Sequence, residues 1–345
     1  MYSLETLSLL DFELSSHCNS KCSQCPRYDM QGYVRNDLNL KHLEFDIIRN
    51  LPIGEMKALK TISFCGNFGD PLMHPRLVEI IDLFPEQNIL IHTNASLRNI
   101  KWWSKLGKKK NLKVTFCIDG LGKEHEMYRR NTSYTKIINN AKAYIQSGGK
   151  ANWQFIVFKH NEHQIQEAKK LSEDIGFEKI FFMYSDRFDT EDTWKVYDEG
   201  KYLYDLKKSS HQTTLRDTLG AEIGEKYWKK LYKGKKEISC IWQQERKLYI
   251  HSDGTVYPCC MLGNIQAGQN IEKLLLKKIV KNYQNIDLHH HNLQDILKSD
   301  VFMKALPSSF SGDPFSHPVC IEYCNKGTGK YAFAELGNVH TDRQA

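Results

Sequence analysis

The chain has 345 residues, of which 26% are charged and 11% aromatic, with a formal net charge of +7. That length suits one large α/β domain with a smaller module, and the composition excludes low-complexity and fibrous classes. There is no unbroken apolar run of about eighteen residues to span a membrane. The opening "MYSLETLSLLDFELSS" lacks the basic region of a secretory signal, so the expected location is the cytoplasm. In that reducing setting the ten cysteines read as metal ligands or core residues rather than disulfides.

In chain order, strands are predicted at "LLDFELS" (9–15), "KTISFCG" (60–66), "ILIHTN" (89–94), "KVTFCID" (113–119), "WQFIVFK" (153–159) and "KIFFMYS" (179–185). Helical periodicity falls between them, at residues 40–51, 75–84, 100–108, 134–149 and 162–176. β-branched runs separated by amphipathic helices predict a parallel sheet with helices outside it. Six strands without a G-x-G-x-x-G turn suggest an incomplete barrel, whose chemistry belongs at the C-terminal strand ends. From residue 186 the pattern changes. Residues 186–238 are polar and predicted helical; residues 240–325 hold five more cysteines, a hairpin-like "KLYIHSDGTVYPCC" (247–260) and a loose loop "LPSSFSGDPFSHPVC" (306–320). The expected domains are a barrel at 1–200, a helical linker at 201–239, a metal-organised module at 240–330 and a polar tail at 331–345. Two lysine-rich stretches, "KWWSKLGKKKNLK" (101–113) and "KYWKKLYKGKK" (226–236), suit an anionic partner or a plain solvated helix face.

Cys18, Cys22 and Cys25 follow the first strand with the spacing C-x3-C-x2-C. Three cysteines cannot close a disulfide framework, and structural zinc prefers C-x2-C knuckles with four ligands. A [4Fe–4S] cluster held by three thiolates keeps one iron free. The spacing favours such an open cluster and leaves zinc as the alternative.

This run at this place resembles the radical S-adenosylmethionine (SAM) enzymes. The resemblance implies an α/β fold with a partial (β/α)6 barrel of radical SAM type. It also implies a cluster whose free iron chelates SAM, and cleavage of SAM to a 5′-deoxyadenosyl radical that takes a hydrogen atom from the substrate. "FGDPLMHP" (68–75) resembles the Gly-Gly-Glu-Pro stretch that binds the SAM amino group, which implies Gly69, Asp70 and Pro71. "HTNASL" (92–97) is similar to a Thr-Asn segment and implies Asn94. "FCIDGLGKEHEMYRRNTSY" (116–134) resembles the segment after strand four. It implies Cys117 toward the barrel interior and Asp119 and Arg129 near the SAM ribose or carboxylate. The pattern departs at Gln24, where an aromatic residue is usual, although Cys25-Pro26-Arg27 fits branches that lack it.

Cys240, Gly254 and Cys259, with Cys320 and Cys324 later, resemble the opening signature of SPASM and twitch auxiliary-cluster domains. Two closed clusters need about eight thiolates, and only five cysteines lie beyond residue 230. The implied module is therefore small, α+β and twitch-like, with a second [4Fe–4S] cluster on Cys240, Cys259, Cys320 and Cys324. Cys260 is then spare; zinc on the same four, and Cys260 in place of Cys259, are the alternatives. Cys65 is expected in the core, Cys117 as a packed residue or a hydrogen donor, and His289–His291 in a solvated turn. Gln154 and Tyr184 are the residues expected to face substrate.

The leading functional expectation is dehydrogenation or epimerisation of a small-molecule or sugar-like substrate, with the auxiliary cluster as electron relay. The resemblance to twitch enzymes, which include dehydrogenases of amino-sugar-like alcohols, implies it, and the first strand beginning near residue 9 leaves little room for a peptide-recognition domain. The alternatives are a radical peptide- or protein-modifying maturase (a RiPP enzyme) and, in another class, a zinc-stapled nucleic-acid-binding protein. The implied electron donor is a flavodoxin- or ferredoxin-type protein; neither a membrane nor a nucleic acid is an expected partner.

Overall fold

The computed structural model describes residues 2–185, 187–188, 192–212, 237–265, 276–312 and 316–326. The tail at 331–345 and the lysine-rich stretch at 226–236 lie outside the described residues.

Every expected barrel strand forms. Strands β1 (Leu9–Phe12), β2 (Lys21–Cys22), β3 (Thr61–Phe64), β4 (Asn88–Thr93), β5 (Leu112–Cys117), β6 (Arg129–Arg130), β7 (Lys150–Val157) and β8 (Lys179–Tyr184) run through the first half. Helices α1 (Phe45–Arg49), α2 (Leu77–Asp82), α3 (Ile100–Leu106), α4 (Lys123–Tyr128), α5 (Tyr134–Gln146) and α6 (Ile165–Ile175) alternate with the longer strands. Ser133 caps α5 through the Lys136 N–H at 3.4 Å, and Asn99 caps α3 through the Trp102 N–H at 3.0 Å. The helix expected over 40–51 shrinks to α1. Residues 41–43 run extended because Ser16 N–H donates to the Lys41 carbonyl and Leu43 N–H to the Leu14 carbonyl, both at 2.9 Å.

One sheet holds β12-β11-β1-β3-β4-β5-β7-β8 in that order, where β11 (Lys247–Ile250) and β12 (Val256–Tyr257) belong to the C-terminal half. β1 pairs in parallel with β3 on one side and with β11 on the other, Leu10 standing opposite both Ile62 and Leu248. The predicted hairpin at 247–260 therefore forms and also extends the barrel sheet. The two sheet faces differ sharply. Ile62, Phe64, Ile89, Ile91, Val114, Phe116, Trp153 and Phe155 are fully buried under the helices, with Trp103 on Phe116 and Trp153 on Phe177 at ring distances of 5.1 and 5.4 Å. The alternate positions are mainly polar, with Asp11, Ser63, His92, Thr115, Cys117, Asn152 and Gln154 beside Leu90 and Ile156. A parallel sheet covered on both faces reads as continuous apolar strands, so this polar face marks the barrel lumen.

Two side-chain expectations change here. Tyr184 packs with Phe182 against the helix-side core, so Phe181 and Met183, the alternate residues of β8, face the lumen beside Gln154. Cys65 sits half-buried just past β3, outside the apolar core; Asp11, Cys117, Glu13 and Asp70 surround it. An odd-numbered residue in phase with Thr61 and Ser63 must point to the polar face.

The expected helical linker is corrected as well. β9 (Thr193–Asp198) and β10 (Lys201–Lys207) form an antiparallel hairpin, and residues 213–236 lie outside the described residues. Both turn residues, Glu199 and Gly200, have positive φ, at 51° and 84°, as a tight two-residue hairpin turn requires. Val196 and Leu206 pack with Tyr128, Phe158 and Phe188, seating the hairpin over the cysteine loop. Farther on come α7 (Ile241–Gln244), α8 (Cys260–Asn264), α9 (Leu293–Lys298), α10 (Leu306–Phe310) and α11 (Pro318–Cys324). Where a loose loop was expected over 306–320, residues 306–310 and 318–320 are helical, with Pro307 and Pro318 in the first turns of α10 and α11. His289–His291 lie in an exposed turn. No described helix is long and apolar enough to cross a membrane.

Candidate active site

The loop from β1 to β2 carries Cys18, Cys22 and Cys25 at the C-terminal mouth of the barrel. Donors converge on their sulfurs. The Ser20 N–H reaches Cys18 Sγ at 3.4 Å, Asn94 Nδ2 reaches it at 3.6 Å, and Ser20 Oγ lies 3.0 Å from Cys22 Sγ. Arg129 Nη1 donates to Cys22 Sγ at 3.8 Å. Burial pushes the Cys18 thiol well above its usual range, with Asp70 and Cys22 adding to it, and burial and then Cys22 push Cys25 to about 11. Such thiols ionise only beside a cation. Among the described residues no three His, Cys, Asp or Glu side chains gather tightly enough for a single ion. Three thiols with hydrogen-bond donors aimed at sulfur fit a multi-iron cluster, whose ligands stand farther apart. Arg27 is buried and donates to the Ser16 carbonyl and, at 3.1 Å, to the Phe68 carbonyl, locking the loop onto the turn after β3. Gln24, the departure from pattern, is buried with its Oε1 accepting from Ser185 Oγ at 2.7 Å.

That turn, residues 66–71, is pressed against the cysteine loop. A Cβ at Gly69 would lie 1.8 Å from the Ser15 carbonyl oxygen, so only glycine fits. The Asp70 N–H donates to the His17 carbonyl at 2.9 Å. Asp70 is buried, and its carboxylate accepts from Leu72 N at 2.9 Å, Thr93 Oγ1 at 2.9 Å and Asn94 N at 2.8 Å. Burial holds its carboxyl above the usual range against these bonds. Asp70 therefore works as a brace between the turn and the end of β4, and Pro71 opens the helical turn that Asp70 caps. Beneath the turn lies Glu13, wholly buried and passed over in the sequence. Its Oε1 accepts from Phe68 N at 2.7 Å and Gly69 N at 3.2 Å; its Oε2 accepts from Tyr249 Oη at 2.7 Å and faces His251 Nε2 at 3.4 Å. Asn67 Nδ2 donates to Tyr249 Oη at 2.9 Å and to the Cys260 carbonyl at 3.0 Å. Burial alone would lower His251, but Asp253 and Glu13 hold it above its usual range.

On the other side of the mouth, Asp119 is wholly buried. It accepts from Arg129 Nε and from Ile156 N, both at 2.6 Å, and its own N–H donates to His125 Nδ1 at 3.1 Å. Burial pushes His125 down to about 3, so it stays neutral and can accept. Burial would lower Arg129, yet Asp119, Cys117 and Cys22 together hold it fully cationic. Cys117 faces the lumen among Arg129, Asp119, Asp70 and Cys22, its thiol pushed up to about 12 by burial. Gly69, Asp70, Asn94, Cys117, Asp119 and Arg129 thus ring the three-cysteine loop.

The second cysteine set meets in one apolar cavity. Cys240, Cys259, Cys320 and Cys324 line it with Trp242, Leu262, Phe310 and Tyr323. Cys240 and Cys324 share a hydrogen bond that draws Cys240 down to about 7 and pushes Cys324 up. Cys259, lifted to about 12 by burial and then by Cys240, accepts from Leu262 N at 3.5 Å. Gly254 turns the hairpin with φ of 86°, and Cys260, near Cys259, Asp11 and Cys65, does not line that cavity. Four thiols around an apolar cavity fit a closed iron–sulfur cluster.

Residues 240–326 match the family model for SPASM, described as an iron–sulfur cluster-binding domain. The expected SPASM- or twitch-type module is thus similar to SPASM domains over these residues. Over 83% of its length the chain is 25% identical to the cysteine-type anaerobic sulfatase-maturating enzyme of Clostridium novyi, covering 84% of that protein. The enzyme of the same name from Clostridium perfringens is 23% identical over 81% of each chain. Among solved structures, Streptococcus suis SuiB bound to S-adenosylmethionine superposes with a TM-score of 0.59 at 17% identity, over 98% of this chain and 77% of that one. Native anSMEcpe with bound AdoMet and Kp18Cys peptide superposes with a TM-score of 0.54 at 17% identity, over 88% of this chain and 83% of that one. At these identities the structural likeness concerns the fold.

Proposed function

We propose that this chain, a radical SAM enzyme with a C-terminal SPASM domain, oxidatively modifies a side chain of a peptide or protein. The observation that carries this reading is the similarity, along four fifths of the chain, to enzymes that mature sulfatases. The likeness to SuiB, solved with its precursor peptide SuiA, supports it. The expected small-molecule substrate is set aside, since the relatives matched along four fifths of the chain are sulfatase-maturating enzymes.

Cys18, Cys22 and Cys25 would hold the SAM-binding cluster, and Cys240, Cys259, Cys320 and Cys324 an auxiliary one. When bound, the first cluster and SAM supply reductive cleavage and hydrogen-atom abstraction. The chain supplies enclosure and position. Arg129, fixed by Asp119, offers a cation where a SAM carboxylate would lie, and the turn at 66–71 offers backbone groups held by Glu13 and Asp70. Gln154, Phe181 and Met183 line the substrate side of the lumen. Among the described residues β8 is paired only with β7, which leaves an edge where an extended peptide could lie.

Anaerobically purified protein should contain about eight irons and eight sulfides per chain; zinc without iron would sink every radical reading. Replacing Cys18, Cys22 and Cys25 together by Ala should leave about four irons and abolish 5′-deoxyadenosine formation with dithionite. SAM cleavage by that variant would refute the site. Peptides encoded beside the gene should change mass with the wild-type enzyme, and turnover confined to a free sugar or amino acid would overturn the peptide reading.

A further inference from the structure

The surface built by α3 and α5 has one sign of charge. Between Asn94 and Lys113, and again between Asn131 and Lys150, the sequence contains ten Lys and Arg residues and no Asp or Glu. The two helices pack together, Trp103 against Tyr144 at 5.9 Å, so both stretches share a face. Lys109 and Lys113 reach acids on neighbouring segments, Asp82 and Glu178. Arg98, Lys101 and Lys136 are exposed and rim a shallow cavity of about 670 Å³, where Ile100 is 53% exposed. An ordinary solvated helix mixes charge signs. A one-signed basic face of this kind steers acidic partners toward it.

The location gives this face its meaning. Asn140 lines the cavity and donates Nδ2 to the Ala95 carbonyl at 2.9 Å. The adjacent residue, Asn94, donates to Cys18 Sγ at 3.6 Å. The depression therefore opens directly outside the loop that holds the first three cysteines. A nucleic acid would want exposed aromatic planes for stacking, but Trp102 is half-buried with the Arg98 guanidinium 5.6 Å over its ring.

We propose that the α3–α5 face is the docking surface for an acidic one-electron carrier protein of the flavodoxin or ferredoxin class. The inference rests on the assignment of a cluster to Cys18, Cys22 and Cys25. One electron leaves the reduced carrier and enters the oxidised cluster, and no bond forms or breaks. Complementary charge steers the encounter and weakens as salt rises.

The test uses the cluster-loaded protein and two variants of equal net charge. Lys101→Glu/Lys136→Glu reverses two charges at the rim of the depression; Lys57→Glu/Lys170→Glu reverses two exposed lysines elsewhere. At low salt the first variant should bind oxidised flavodoxin about tenfold or more weakly, with a flatter salt dependence, and its cluster should bleach correspondingly slowly with reduced flavodoxin. Bleaching by dithionite should match wild type, and the control variant should match it in every assay. Unchanged flavodoxin affinity in the first variant overturns the proposal. So does an equal loss in the control, or a loss of affinity for single-stranded RNA with flavodoxin binding intact. A wild-type protein that holds no reducible cluster would instead sink the site assignment on which the proposal stands.

Discussion

Glu13 is the residue on which the turn at 66–71 rests, since both of its oxygens are committed in a wholly buried site. Glu13→Gln keeps the shape and the bonds from Phe68 and Gly69 but turns an amide toward Tyr249 and His251. SAM affinity should fall about tenfold, the scale of one charged hydrogen bond, while iron content stays at the wild-type level. Wild-type affinity would reduce Glu13 to a packing role. Asp11 behaves differently. Its Oδ1 is buried without a partner, and burial, then Glu13, lifts its carboxyl to about 7 against Ser63, the Cys65 backbone and Lys247; the Cys260 thiol also faces it. A carboxyl raised on folding binds its proton more tightly in the native state. Its cost is therefore absent below about pH 4 and grows as pH rises to about 7. Asp11→Asn should raise the stability measured by denaturant unfolding at pH 8 by roughly 1–3 kcal/mol and have little effect near pH 4. An equal effect at both pH values would contradict this account. The convergence of Cys18, Cys22 and Cys25 on one loop, and of Cys240, Cys259, Cys320 and Cys324 on one cavity, was legible in the sequence because the spacing itself groups them. Glu13 and Asp11 were not, because a carboxylate inside a strand reads as a solvated face until register shows that the face is a lumen.

The element that decides access to the cysteine loop is the turn between β3 and the helical turn at Pro71. Gly69 is required there by the Ser15 carbonyl, not by its own dihedral angles. In Gly69→Ala the methyl must displace the cysteine loop or the turn, so SAM binding should drop about tenfold, the scale of one lost charged hydrogen bond. Equilibrium dialysis of the reconstituted variant measures this, and wild-type binding would show that the loop yields freely. The barrel strands were legible since their apolar runs and flanking helices obey two clear periods. The β9–β10 hairpin was missed because its strands bury little more than Val196 and Leu206, so alternation is faint. The Glu199-Gly200 turn was its sequence signal. The half-length α1 was missed for a tertiary reason: Ser16 and Leu14 capture the backbone of residues 41–43 in extended form.

At the scale of the whole molecule, the SPASM region and the barrel share a sheet. β11 pairs along all of β1, and Tyr249 on β11 reaches Glu13 beneath the cofactor turn, while β12 leads within two residues to Cys259. The sequence showed a second cysteine set but not this junction, since nothing in a strand's pattern names its neighbour in the sheet. The junction has a thermodynamic consequence. Modules joined by a loop unfold separately, whereas a strand between two modules makes them one cooperative unit. Binding of the auxiliary cluster to the native state alone then stabilises the barrel as well as its own cavity. Cys320→Ser with Cys324→Ser should leave about four irons and lower the unfolding temperature of the whole chain in a single calorimetric transition. The variant should also bind SAM more weakly although its first three cysteines are intact, because the hairpin that supports Glu13 loses its anchor. Two resolved transitions, with the upper one unmoved and SAM affinity unchanged, would show that the barrel stands alone.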